Sequence, residues 1–178
     1  MKRIVIICGS IAGAIVASMT IITIAMSYRS GNLSSNMMLG YATMLLAFSL
    51  IFVGIKNYRD KYQNGIISFG KAFKTGLYIA LIASTIYVVV WLISYYLFFP
   101  DFMELYTTCT LNELKAGGAT QIQVDAKVAE MNSYKEMYKN PLMIILLTYT
   151  EILPLGILVS LICAFILKRK TKPAQITV

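Results

Sequence analysis

The stretch TGLYIALIASTIYVVVWLISYYLFFP, from Thr75 to Pro100, contains no charged residue, and its reading decides the fold. A helix needs about 20 apolar residues to cross a hydrocarbon core of about 30 Å, and this run exceeds that length. Comparable runs extend from Ile4 to Tyr28 and from Ser30 to Ile55, and a fourth from Asn140 to Leu167 is interrupted only by Glu151. In lipid every backbone polar group must be satisfied within the chain, so runs of this length are read as helices. The expected fold is an all-α membrane protein, a four-transmembrane-helix bundle forming one domain over residues 1–178. Its spans are expected at about 4–28, 34–55, 69–99 and 141–167, with an outer helical segment at 101–140.

Composition agrees with a lipid setting. The chain is 58% hydrophobic and 13% charged with no histidine, whereas soluble domains are about 45–50% apolar and about 25% charged. Disordered chains and disulfide scaffolds are thereby excluded. A net charge of +8 in a soluble protein would point to nucleic acid, but the placement of the charges gives a different partner, the lipid bilayer, and no nucleic acid is expected. Lys2 and Arg3, then Lys56, Arg59, Lys61, Lys71 and Lys74, then Lys168, Arg169, Lys170 and Lys172 fall on one side of a four-span chain. The segment 101–139 on the other side is richer in acids than in lysines. Basic residues near spans are retained in the cytoplasm, so both termini are expected there. The same basic face could meet anionic lipid headgroups, at about 1 kcal/mol per Lys or Arg. The first run starts like a signal peptide but continues well past an h-region, and is read as a retained span.

Outside the spans, Pro100-Asp101 should start a short helix that ends at Gly117-Gly118. A second is expected from about Gln121 to Lys139, with Val124, Val128, Met131, Tyr134 and Tyr138 as its apolar stripe. Asn140-Pro141 reads as a cap followed by proline at the first position of the next helix. Ser68 is the expected N-cap of the third helix, with Phe69 and Phe73 on one face directed at lipid. Tyr95, Tyr96, Phe98 and Phe99, with Trp91 a turn deeper and Tyr134 and Tyr138 facing them, are read as interfacial anchors.

Small residues recur every fourth position in three spans: Gly9, Gly13 and Ala17; Gly76, Ala80 and Ser84; Gly156, Ser160 and Ala164. Such ridges let backbones approach closely, which drives helix association in lipid. The ridge alone leaves open whether its partner lies in the same chain, in a second copy as a homo-oligomer, or in another membrane protein. Span two carries only Gly40, Ala47 and Gly54, loosely spaced, and is expected to be the most lipid-exposed.

The segment Gly65-Ile-Ile-Ser-Phe-Gly-Lys-Ala-Phe-Lys-Thr-Gly76 resembles a signature of a family of small bacterial membrane proteins catalogued only as a domain of unknown function. Glu151-Ile-Leu-Pro-Leu-Gly156 is a second stretch that resembles that family, followed by a small-residue helix and the basic end Lys168-Arg169-Lys170. The resemblance covers nearly the whole chain. It implies four spans, a longer outer segment between spans three and four, a bacterial host and the inner membrane, and it implies no activity.

One residue stands out chemically. Glu151 falls about 15 Å along a helix starting at Pro141, near mid-membrane, where a carboxylate is costly unless it faces the bundle interior or water. The expected intramembrane polar site is Glu151 with Thr148, Thr150 and Pro154; the proline removes the hydrogen bond to the Thr150 carbonyl. Candidate neighbours from other spans are Thr20, Thr23, Thr43, Ser49, Thr85 and Tyr87. Two functions follow. The first is a scaffold or interaction subunit, with Glu151 fixing packing; the alternative is a small transporter, channel component or proton-sensitive protein using Glu151 and the Pro154 kink. An enzyme is not expected, because the chain has no histidine for Ser–His or Cys–His chemistry and no Walker A sequence. No metal site and no cofactor are expected, since Cys8, Cys109 and Cys163 are too scattered to form a cluster.

Overall fold

The computed structural model describes residues 1–30 and 34–170, with side chains described at all of these except 30 and 34–38. Lys172 of the basic tail lies outside the described residues. Six helices follow in order: α1 Lys2–Ser30, α2 Ser34–Tyr62, α3 Phe69–Leu97, α4 Phe102–Ala116, α5 Gln121–Tyr138 and α6 Pro141–Leu167. Four of them (α1, α2, α3 and α6) are long and apolar enough to cross a membrane.

Local chemistry sets the helix ends. The Lys71 N–H donates to Ser68 Oγ at the start of α3. Phe98 and Phe99 N–H groups converge on the Ser94 carbonyl at its end, before Pro100. At α5 the Thr120 N–H donates to Gln123 Oε1 at 2.9 Å, half of a capping box. At α6 the Leu142 N–H donates to Asn140 Oδ1 at 2.9 Å, with Pro141 in the first turn. Helix α2 continues past Ile55 to Tyr62, because charge at Lys56 and Arg59 ends an apolar run without ending a helix.

Helix α3 is the hub. It packs most extensively on α6 and on α1, while α2 closes the bundle against α1 and α6. The small-residue ridges explain these contacts. A Cβ at Gly13 would lie 2.9 Å from the Ala83 carbonyl oxygen, and one at Gly9 would lie 2.8 Å from Ile82 Cβ, so the α1 ridge lies directly on α3. On the other side, Gly76 faces Ser160 and Gly156 faces Ala80, so the ridges of α3 and α6 meet each other. The partner of each ridge is within the same chain.

Span two differs from expectation. The buried share of its most apolar window is 39%, against 33% for α6, so α2 is not the most exposed span. Its Met44, Ala47, Phe48, Ile51 and Ile55 are buried. Phe48 fills the space beside Gly156, and Ile51 the space beside Gly76. Helix α2 supplies knobs for holes opened by glycines on its neighbours, and a search for small residues does not see knobs. It also has its own close approach, with Gly54 directly against Ile79 of α3.

At the basic end, Ile67 and Arg169 exchange backbone hydrogen bonds of 3.0 and 2.9 Å, tying the loop between α2 and α3 to the end of α6. Asn64 and Gly65 make the turn that brings Ile67 there, at φ of 50° and 80°, a region glycine enters without steric cost. Phe69 stacks on Phe73 and meets Phe165 of α6 at 4.7 Å, so this turn packs on the bundle rather than facing only lipid.

Candidate functional site

At the opposite end the bundle opens into a cavity of about 440 Å3. Its walls come from all six helices: Thr20, Thr23, Ile24 and Ser27 of α1, Gly40, Tyr41 and Met44 of α2, and Tyr87 and Trp91 of α3. Phe102, Met103 and Tyr106 of α4 and Tyr134 and Tyr138 of α5 form its cap, and Leu147, Thr148, Thr150 and Glu151 of α6 its last wall. A volume of this size is typical of a small-molecule pocket.

Helices α4 and α5 are held over the cavity by aromatic packing. Phe102 meets Trp91 edge-on at 4.9 Å, and Tyr138 meets Tyr95 at 5.4 Å. Val124 and Met131 are buried beneath them, so the α5 stripe is spent on internal packing. Burial, followed by the nearby Glu151 charge, pushes the Tyr138 phenol up to about 12. The Tyr106 phenol is also raised by burial, against the opposing pull of Lys127.

Glu151 is the sole acid among the lining residues, and no Lys or Arg accompanies it. It remains exposed to the cavity although it lies in the N-terminal half of a membrane-length helix. Among the described residues no hydrogen bond or ion pair reaches its carboxylate. Three threonine hydroxyls of the wall are occupied as donors, while the phenols of Tyr41 and Tyr87 also share the cavity with the carboxylate. Thr148 donates to the Ile144 carbonyl at 2.7 Å, Thr150 to the Leu147 carbonyl at 2.7 Å and Thr23 to the Thr20 carbonyl at 2.9 Å. A hydroxyl that gives its proton to its own helix keeps its lone pairs for whatever enters the cavity.

The expected polar site is thus partly assembled. Glu151, Thr148 and Thr150 line the cavity, and Pro154 does not; it is exposed one turn further along α6, which runs through it without interruption. The site is therefore not an unwound helix, although Pro154 still has no N–H to give the Thr150 carbonyl. Of the proposed neighbours, Thr20, Thr23 and Tyr87 are present. Thr43 and Ser49 instead bond carbonyls of their own helix on exposed faces, and Thr85 bonds Tyr149 Oη at 2.8 Å. Sequence reasoning missed Tyr41 and Tyr106, and it read Trp91, Tyr134 and Tyr138 as anchors. The available signal was the aromatic positions of the α5 stripe, which face inward with Val124 and Met131.

Among the described residues no group of three His, Cys, Asp or Glu side chains could hold a metal ion. A single carboxylate, acceptor oxygens and aromatic faces are a binding surface for a solute with donors or positive charge.

Four membrane-length helices around a capped acidic cavity define a multi-pass α-helical membrane protein. The chain belongs to the family described as Protein of unknown function (DUF4199), whose model matches residues 7–169 and so includes both motif stretches and Glu151. No curated protein and no solved structure matches it.

Proposed function

We propose that the protein is a small solute-binding component of a bacterial inner membrane, a transporter or a subunit of one, with both termini in the cytoplasm and the capped cavity facing outward. The carrying observation is Glu151, exposed to a cavity of about 440 Å3 without a partner among the described residues. A carboxyl that only fixed packing would be enclosed and hydrogen-bonded across the bundle, since an unpaired buried polar group costs about 1–3 kcal/mol or more. In this reading the protein is not an enzyme and its cavity binds rather than reacts. Its basic end, with Lys71, Lys74 and Lys168, rests against anionic headgroups.

An interaction-subunit role keeps one observation in its favour: Ile122 on α5 is 81% exposed at the capped end, outside the stripe that packs. Recovery of a stoichiometric partner that is lost with Ile122→Ser would promote that reading.

The cavity is tested by thiol access. In a Cys109→Ser background, Thr20→Cys should react with a charged, membrane-impermeant thiol reagent, while Cys8 and Cys163 in the packed half stay unreactive. No reaction at Thr20→Cys would remove the water-filled cavity from the argument. Orientation is tested in intact cells, where an impermeant amine reagent should modify Lys127 and spare Lys170; the reverse pattern would invert the topology.

A further inference from the structure

The cavity's chemistry restricts what it can take. We propose that its ligand is a small organic cation, a protonated amine with a compact apolar body. This deepens the solute-binding reading and rests on it. Glu151 is the one acid among the described lining residues and meets no cation among the described residues, so a positive charge is the complement the site lacks. Thr23, Thr148 and Thr150 spend their protons on backbone carbonyls, so they face the cavity as acceptors suited to an ammonium's N–H groups.

The remaining walls are aromatic. Trp91 and Tyr138 lie with Glu151 around one space, and ring faces attract ammonium groups within about 6 Å. An anion would meet the carboxylate with no compensating Lys or Arg. A transition-metal or other divalent ion would find, among the described residues, no group of three His, Cys, Asp or Glu side chains to hold it. A neutral solute would leave the carboxylate unmatched.

Trp91 is the sole tryptophan of the chain and lines the cavity, so its emission reports occupancy without a label. Purified protein in nanodiscs would be titrated with cyclohexylammonium, cyclohexanol and cyclohexanecarboxylate at pH 7, with excitation selective for tryptophan. Cyclohexylammonium should shift the emission saturably, with at least tenfold higher affinity than either isostere. Glu151→Gln should lower the ammonium affinity at least tenfold and leave the cyclohexanol titration unchanged. Tyr138→Leu should weaken ammonium binding at least threefold where Tyr138→Phe, which keeps the ring, does not. The comparison among probes needs no variant and stands even if Glu151→Gln fails to fold. Equal affinity for cyclohexanol overturns the cation assignment while the cavity reading survives. Silence with all three probes also overturns it, and thiol access at Thr20→Cys then shows whether the solute-binding reading falls as well.

Discussion

The two ends of this bundle are built by opposite rules. Toward the basic end, glycine meets glycine-sized space: Gly9 and Gly13 lie on α3, Gly76 and Gly156 meet Ser160 and Ala80, and Phe48 and Ile51 fill what remains. The loop and the end of α6 are then tied together through Ile67 and Arg169. Toward the capped end, the same four helices carry Thr20, Thr23, Tyr87, Thr148 and Glu151 inward and leave a cavity under α4 and α5. In lipid, close packing supplies association energy, while an ionisable group inside a span marks function. The packed half holds the helices so that the open half can keep a polar cavity without collapsing.

The largest effect should come from a side chain forced into the packed half. Gly13→Val places a Cβ 2.9 Å from the Ala83 carbonyl oxygen and from Ile86 Cβ, backbone and branch atoms that cannot step aside. A loss of about 2–3 kcal/mol is expected. Gly40→Ala, at a glycine with nothing within 4 Å, should change stability by less than about 0.5 kcal/mol. Comparable losses at both glycines in detergent unfolding would erase the distinction between the halves.

Next comes the acid itself. If Glu151 is kept for binding, replacing it should relieve a cost, as is common where activity and stability compete. Glu151→Leu should raise stability by about 1–2 kcal/mol, less than a full insertion penalty because the carboxylate faces the cavity rather than lipid. A marked loss of stability would mean that Glu151 holds the bundle together, and the scaffold reading would take its place.

Tyr138 probes the cap. Its phenol is raised to about 12 by burial, against about 10 for a free tyrosine. Below pH 10 both states keep the proton and no cost arises. Between pH 10 and 12 the unfolded chain releases the proton first, so wild type should lose stability relative to Tyr138→Phe, by about 1–2 kcal/mol. A flat difference between the two proteins across that range would mean that α5 does not enclose the ring.

Much of the packed half is legible in sequence. Lipid dictates span length, so the four runs are visible without tertiary knowledge, and Gly9, Gly13, Gly76, Ala80, Gly156 and Ser160 announce themselves by four-residue spacing. Ser68, Asn140 and Gly117 mark ends that the structure respects. The knobs of α2 were not legible, because Phe48 and Ile51 look the same whether they face lipid or a glycine. The cavity was less legible still. Only Glu151 and its near neighbours violate the apolar pattern; the rest of the wall is Tyr and Trp, which suit the headgroup level equally well when they point outward. Whether Trp91, Tyr134 and Tyr138 face lipid or the cavity depends on where α4 and α5 fold back, which no single span encodes.

Ser84 sits in the α3 ridge and gives the smallest and most discriminating test. It is fully buried, and its Oγ has no hydrogen-bond partner among the described residues. Ser160 of the α6 ridge returns its proton to the Gly156 carbonyl at 2.7 Å, and Thr23, Thr148 and Thr150 in the cavity wall likewise bond carbonyls of their own helices. In the packed half an unpaired oxygen serves no ligand, so only its size matters there. Ser84→Ala keeps that size and removes an unsatisfied polar atom, and should leave stability unchanged or raise it by up to about 1 kcal/mol. Ser160→Ala, which deletes a made hydrogen bond, should cost about 0.5–1 kcal/mol. A loss at Ser84 as large as that at Ser160, together with weaker cyclohexylammonium binding, would place polar work inside the packed half and break the division on which the comparison rests.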